Sequence, residues 1–333
     1  MKNLKDIAKE LGVSVSTVSR VVNNKSVVNE TTRKLVLDAL KKYDYSPNLI
    51  ARSLKSKSSR TVGIVVPDIT ESLFGTVIKA VCAKAEAHGY GVLVCDTDEN
   101  IDREERYLRY LFEKQIDGII LASVSRSNEN HEINKYMNNN IPVVLIDNDL
   151  FTNTNGVDKV FVDNFEAGEI GTSYLLEVTG GNVGFICGRI EEYTGYSRLE
   201  GYINAYKKKA ITPDMSCVYY GDYKEKSGYN AVYELLKLHP DLKSIFVTSS
   251  KMTYGAIKAL REKNLFYPRD IRIIGFDVND AYDCFMPGIT SVVQPEYEIG
   301  TTAVELLLKR IADPGSTREN IILKPKLLVK ESV

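Results

Sequence analysis

The sequence predicts an all-α N-terminal segment joined to a much larger α/β body built on parallel sheets, and three observations lead there. At 333 residues the chain exceeds what one hydrophobic core usually fills, so two or more domains are expected. Charge is divided unevenly: residues 1–60 carry 13 Lys or Arg against five Asp or Glu, a balance of +8, so a total of −1 leaves −9 for the other 273 residues. The apolar pattern also changes near Thr61, from helical spacing to short apolar runs that alternate with amphipathic stretches. A small basic unit on a large acidic one suits a polyanion-binding segment carried by a separate body, because phosphate contacts need local positive charge.

In the first segment, LKDIAKELG, Leu4, Ile7, Ala8 and Leu11 fall at helical spacing, and Gly12 is suited to the positive φ that stops a helix. In VSVSTVSRVVNN, Ser14 is placed to cap a second helix with Val18 and Val21 or Val22 as its buried stripe. Its outer face then carries Val15, Ser16, Ser19 and Arg20, a small, polar and basic surface. This helix-turn-helix pattern fits the major groove of double-stranded DNA, where Arg20 would donate two hydrogen bonds to a guanine edge. A third helix is expected over Glu30–Tyr43, capped by Asn29, with Val36, Leu37 and Leu40 inward.

From Thr61 the strand-like runs are TVGIVVPD (61–68), GVLVCDT (91–97), DGIILAS (117–123), PVVLID (142–147), VFVDN (160–164), NVGFICG (182–188), SIFVTS (244–249) and IRIIGFD (271–277). Their alternation with amphipathic stretches reads as repeated βαβ units, hence parallel sheets covered by helices. The spacing permits two sheets, and a ligand site belongs outside the C-terminal strand ends, where Asp68, Asp147, Asp163 and Asp277 close their apolar runs.

Composition excludes several classes. No stretch of 18 apolar residues and no apolar run behind a basic N-terminus occurs, so neither a membrane span nor a signal peptide is expected and a cytoplasmic location is. Cys82, Cys95, Cys187, Cys217 and Cys284 lack paired spacing and read as structural thiols. His88, His131 and His239 neighbour no Cys, Asp or Glu at a ligand spacing, so no metal site and no cofactor are expected. Without a phosphate loop, nucleophile elbow or Cys/His pair, catalysis is not expected.

The run from Leu4 through GVSVSTVSRVVNN to YSPNLIARSLKSK resembles the headpiece of LacI/GalR-family repressors, and the likeness continues more weakly along the whole chain. It implies a headpiece over 1–46, a hinge helix and linker over 47–60, and an effector-binding and dimerisation domain over 61–333. That domain would be similar to periplasmic sugar-binding proteins, with lobes of approximately 61–161 plus 293–320 and 162–292 plus 321–333. By the resemblance, Val15, Ser16, Thr17, Arg20 and Asn23 touch DNA from the headpiece. Asn48, Arg52, Leu54 and Lys55 do so from the hinge, with Leu54 wedged between base pairs in the minor groove.

The family's effector contacts fall on Leu73, Phe74, Asp147, Glu192, Thr194, Arg198, Tyr223 and Asp277. The sequence departs from the family at Ser249, Ser250 and Lys251, where an Asn-Asp or Thr-Asp pair is usual. Ser249 and Lys251 are therefore added, and the lysine raises the expectation of an acidic effector alongside a plain sugar: a sugar acid or sugar phosphate. The implied mechanism is a homodimer, or a tetramer, on a roughly palindromic operator; effector binding in the cleft rotates the lobes and changes the hinge spacing, commonly with repression as the outcome. Two rival readings remain at this point. One keeps DNA binding but replaces the small effector with a protein co-regulator; the other is a solute-binding protein without a transcriptional role. A filled apolar cleft would favour the co-regulator, and a wet one lined by Arg198, Asp277 and Tyr223 a ligand.

Overall fold

A computed structural model describes residues 2–22, 28–43, 58–124, 131–150, 156–278 and 287–333. The chain divides into two compact units, Met1–Ser59 and Arg60–Val333. Asn23, the hinge residues Asn48, Arg52, Leu54 and Lys55, and Cys284 lie outside the described residues.

The first unit holds α1 (Leu4–Glu10), α2 (Val15–Val22) and α3 (Glu30–Lys42). Asn3 caps α1 by accepting from the Lys5 and Asp6 backbone N–H groups, and Asp6 returns the bond to Asn3 N. Gly12 makes the expected turn at φ 64°. Ser14 Oγ accepts from Thr17 N at 3.1 Å, and Asn29 caps α3 through Thr31 N at 2.8 Å. Ile7, Ala8, Val18, Val21, Val36 and Ala39 close a small core. Leu37, expected inward, is instead 49% exposed. The buried stripe runs Val36, Ala39, Leu40 and Tyr43 at helical spacing, and Leu37 lies one residue, about 100°, off it.

Among its described residues the second unit contains two six-stranded sheets. The first, entirely parallel, comprises β1 (Thr61–Val66), β2 (Gly91–Asp96), β3 (Gly118–Leu121), β4 (Val143–Ile146), β5 (Asp158–Val162) and β11 (Asn320–Leu323), ordered β11-β5-β4-β3-β1-β2. The second comprises β6 (Val183–Cys187), β7 (Val218–Tyr220), β8 (Ser244–Val247), β9 (Arg272–Phe276), β10 (Thr290–Val293) and β12 (Lys326–Leu328), ordered β12-β10-β9-β8-β6-β7. Only β12 is antiparallel to its neighbour. The β2 run is less buried than expected of a parallel strand, because it forms the sheet's edge. The strands β7, β11 and β12 carry no continuous apolar run because each is a partly exposed sheet edge, and β10 opens on the polar Thr290 and Ser291, so the sequence does not announce these four.

Helices α4 (Ser72–Ala87), α5 (Ile101–Glu113), α6 (His131–Asn138) and α11 (Glu296–Ala312) belong to the first lobe. Helices α7 (Asn164–Thr179), α8 (Tyr193–Lys208), α9 (Glu225–Leu238) and α10 (Ser250–Glu262) cover the second sheet. The chain passes between lobes after β5, after β10 and after β11. The last crossing comes three residues later than expected, because Asn320–Leu323 pair in parallel register with Lys159–Val162 and so stay in the first sheet. Lys324, just beyond, pairs with Asp163 at 2.9 Å and with Glu166, tying the third crossing to the first.

Glycines set one helix contact that matters for the site. A Cβ on Gly168 would lie 2.0 Å from the Arg198 carbonyl oxygen, and one on Gly201 would lie 2.1 Å from that of Phe165. The backbones of α7 and α8 therefore touch, which fixes where α8 presents Arg198.

Candidate ligand cleft

Both sheets point their C-terminal strand ends at one cleft. The strand order reverses between β1 and β3 in one sheet and between β6 and β8 in the other, so the loops there splay apart and leave room. The first lobe contributes Pro67, Glu71, Leu73, Phe74, Glu99, Ser123, Val124, Asp147 and Asn148, and the second Glu192, Thr194, Arg198, Tyr223, Ser249, Ser250, Phe276 and Asp277. Gln294, at the second crossing, completes the wall. The space amounts to about 600 Å³ counted out to its mouth.

The structure brings Leu73, Phe74, Asp147, Glu192, Thr194, Arg198, Tyr223, Ser249 and Asp277 to this cleft. Lys251 does not line it. Its ammonium is ion-paired with Asp68 and donates to Thr70 Oγ1 at 2.8 Å, joining the lobes beside the cleft. Burial alone would raise Asp68, but the hydrogen bonds from Lys251 and Thr70 outweigh it and hold the carboxyl below its ordinary value. Contrary to expectation, Lys251 stands beside the cleft, paired with Asp68, and not in its wall. Glu71, Glu99, Ser123, Asn148, Phe276 and Gln294 carry no sequence signal for the site, and Ser250 is marked only as a departure from the family's usual pair.

Further bonds span the lobes. Ser250 Oγ donates to Glu71, Arg189 donates to Glu99, and Thr194 N donates to Asn148 Oδ1 at 3.3 Å. Within the second lobe Arg189 also donates to Glu192 at 3.2 Å. Within the first lobe the buried Glu104 accepts from Ser123 Oγ at 2.8 Å and Val124 N at 2.7 Å, fixing the loop after β3.

Arg198 is the cleft's central cation. Its Nε donates to Asn164 Oδ1 at 2.8 Å and its Nη1 to the Thr248 carbonyl at 2.7 Å, and the guanidinium lies 3.7 Å above the Phe276 ring. The Asp277 carboxylate, at φ 49°, accepts from Gln294 N at 2.9 Å and Gln294 Nε2 at 2.6 Å, so it also clamps the second crossing. Burial nevertheless pushes Asp277 and Glu71 above the ordinary carboxyl value. Tyr223 packs its ring where a Cβ on Gly188 would fall, 2.1 Å away, and its hydroxyl lies 3.0 Å from Thr194 Oγ1.

Asp147 is pushed from 3.8 to about 7, mainly by burial, with Arg198 opposing and Glu192, Glu99 and Asp277 reinforcing. Between those values the folded chain keeps a proton that the unfolded chain has lost, so stability falls as pH rises through that window and is flat above it. Asp147→Asn removes this dependence, and Asn tolerates the residue's φ of 64°. The variant is expected to melt with the wild type near the acid end of the window and above it at its alkaline end; parallel melting curves of the two proteins against pH would contradict the assignment.

Residues 3–48 match bacterial regulatory proteins of the lacI family, and residues 59–331 match the family of periplasmic binding proteins and the sugar binding domain of the LacI family. The chain belongs to the LacI family. It is 34% identical over 332 residues to the HTH-type transcriptional regulator RegA of Clostridium saccharobutylicum, covering 99% of this chain and 98% of that one. It is 33% identical to the HTH-type transcriptional repressor PurR of Edwardsiella ictaluri, covering 100% and 97%. Among solved structures, a complex of the transcriptional regulator CelR with cellobiose is similar over the full length of both chains, at 27% identity and a TM-score of 0.75. The Lac repressor dimer bound to operator and the anti-inducer ONPF shares the fold, with a TM-score of 0.85 at 22% identity over 99% and 98% of the chains.

As a LacI-family member the chain is a DNA-binding transcriptional regulator and not an enzyme. The headpiece leaves Val15, Ser16 and Arg20 exposed on α2, while Thr17 Oγ1 lies 2.8 Å from Ser14 Oγ, next to the cap. Among the described residues no helix is long and apolar enough to cross a membrane.

Proposed function

We propose that this chain is a cytoplasmic, homodimeric repressor whose hold on its operator is set by an uncharged, sugar-like effector in the interlobe cleft. The observation that carries the effector class is the polar make-up of the cleft wall: among the described residues Glu71, Asp147 and Asp277 stand round Arg198, the one cation in the lining, while Glu99 and Glu192 are paired with Arg189. A phosphate or carboxylate brought there has only Arg198 in the lining to pair with, and that guanidinium already serves Asn164 and the Thr248 carbonyl, whereas sugar hydroxyls bond to carboxyl groups in either protonation state and sugar C–H faces pack on Phe74, Phe276 and Tyr223. The polar, partly hollow wall also favours a ligand over a protein co-regulator, which needs no hydrated cleft. The CelR relative's complex with cellobiose, an uncharged sugar, supports the same reading.

In this reading Val15, Ser16 and Arg20 read base edges from α2, Thr17 supports them, and two copies meet a roughly palindromic site. The test has two arms. Thermal-shift screening is expected to yield stabilisation by uncharged mono- or disaccharides, about 2.7 kcal/mol at 100 times Kd, and none by sugar acids or phosphates; stabilisation by anionic sugars alone overturns the effector class. Selection from random duplexes should return a palindrome, and Arg20→Ala should relax one base position in each half by about 1–3 kcal/mol.

A further inference from the structure

No histidine has a Cys, Asp or Glu at a ligand spacing along the sequence, but in the second lobe the fold brings one of them to such neighbours through space. Asp214, Cys217 and His239 come together with one donor atom each, all within 4.8 Å of one another. Among the described residues no other such trio of His, Cys, Asp or Glu occurs. It lies at the N-terminal end of β7, whereas the ligand cleft lies at the C-terminal strand ends, so it is separate from the effector site.

We propose that Asp214, Cys217 and His239 bind a thiophilic divalent cation of the zinc class. One sulfur, one imidazole nitrogen and one carboxylate oxygen are a donor set that zinc takes, at about 2.3, 2.0–2.1 and 2.0–2.2 Å respectively. On a tetrahedral ion such donors stand roughly 3.3–3.8 Å apart, so closure from the observed spacing needs movements on the order of 1 Å. Three protein ligands leave the fourth position to water.

The backbone holds all three anchors. Cys217 N donates to the Asp214 carbonyl at 3.0 Å, closing the one-turn helix Met215–Cys217, and Asp214 Oδ1 accepts from Ser216 N at 3.0 Å. His239 ends α9 with its N–H on the Leu235 carbonyl at 2.8 Å. Ser216 Oγ stands between the outer ligands, 2.6 Å from Asp214 Oδ1 and 2.9 Å from His239 Nε2. The cation takes the place of that hydroxyl in bridging the two side chains. Asp214 is exposed and His239 partly so, with Cys217 buried beneath them, which gives the ion an entry from solvent. On binding, the Cys217 thiol proton passes to solvent and the thiolate ligates.

The experiment titrates the full chain, stripped of metal by chelator and dialysed, with Co²⁺ as a spectroscopic substitute. A near-ultraviolet thiolate-to-cobalt charge-transfer band at one equivalent is expected, bleached by Zn²⁺, and lost in Cys217→Ser. Because Cys217 is buried and its variant can misfold, His239→Gln provides the second reading. It should fold as the wild type and bind at least about 10-fold more weakly, the scale that even outer-shell partners of a metal reach. Absence of the band in the wild type, its persistence in Cys217→Ser, or unchanged affinity in a folded His239→Gln would each overturn the site.

Discussion

Arg198→Ala is expected to abolish the effector's thermal shift and to lower stability by about 3 kcal/mol, the scale of one or two hydrogen bonds from a charged donor. The guanidinium is buried, 4% exposed, and serves Asn164, the Thr248 carbonyl and the Phe276 face at once. Its charge also opposes the burial that raises Asp147 and Asp277, so its removal leaves both carboxyls more strongly protonated. Arg198→Lys separates the roles. It keeps the charge but loses the planar fork and the stack, so it should recover part of the stability while effector affinity stays at least about 10-fold down. Urea unfolding and effector titration of both variants decide the matter, and unchanged affinity in a folded Arg198→Lys would make the residue a scaffold element only.

Breaking the buried ion pair of the first lobe should cost more. Arg310 Nε and Nη2 each donate to an Asp158 carboxylate oxygen at 2.9 Å, with the side chains 4% and 1% exposed. The same guanidinium holds Ser316 Oγ at 2.8 Å and the Thr317 carbonyl at 2.8 Å, and Asp158 Oδ1 accepts from Glu319 N at 2.9 Å. One pair thus fixes the end of α11, the start of β5 and the turn into β11. Arg310→Met strands a buried carboxylate and is expected to lose about 3–5 kcal/mol in denaturant unfolding. Adding Asp158→Asn removes that stranded charge, so the double variant should lose clearly less than the sum of the two single losses. Additive losses would show that the two side chains act independently.

The elements were legible because each is governed by burial along a few consecutive residues. Val18 with Val21 in α2, the run TVGIVV in β1 and Gly12 after α1 each declare themselves within one turn or one strand. Leu37 was misjudged because apolar character does not state which of two adjacent positions the neighbouring helices cover. The equally short β3, β4 and β8 are wholly buried and so show as apolar runs, whereas β7, β11 and β12 are partly exposed edges and β10 begins with Thr290 and Ser291.

Beyond Asp147 and Asp277, which close their strands, the cleft's residues were legible only through resemblance, and only where this chain keeps the family's residues. Glu71, Glu99, Asn148 and Gln294 sit on loops whose sequence holds no periodic signal, and strand order alone makes them neighbours. Lys251 illustrates the limit: its charge was plain, but Asp68, 183 residues away, decides what that charge does. His239 and Cys217 likewise stand 22 positions apart with no recognisable motif between them. By itself the sequence determined the basic three-helix headpiece, the repeated βαβ body and the strand ends where a ligand would sit, since these follow from local periodicity and net charge. Tertiary structure alone decided which carboxylates face one another, which cations are neutralised and where the lobes are joined, since those depend on distances through space between groups far apart along the chain.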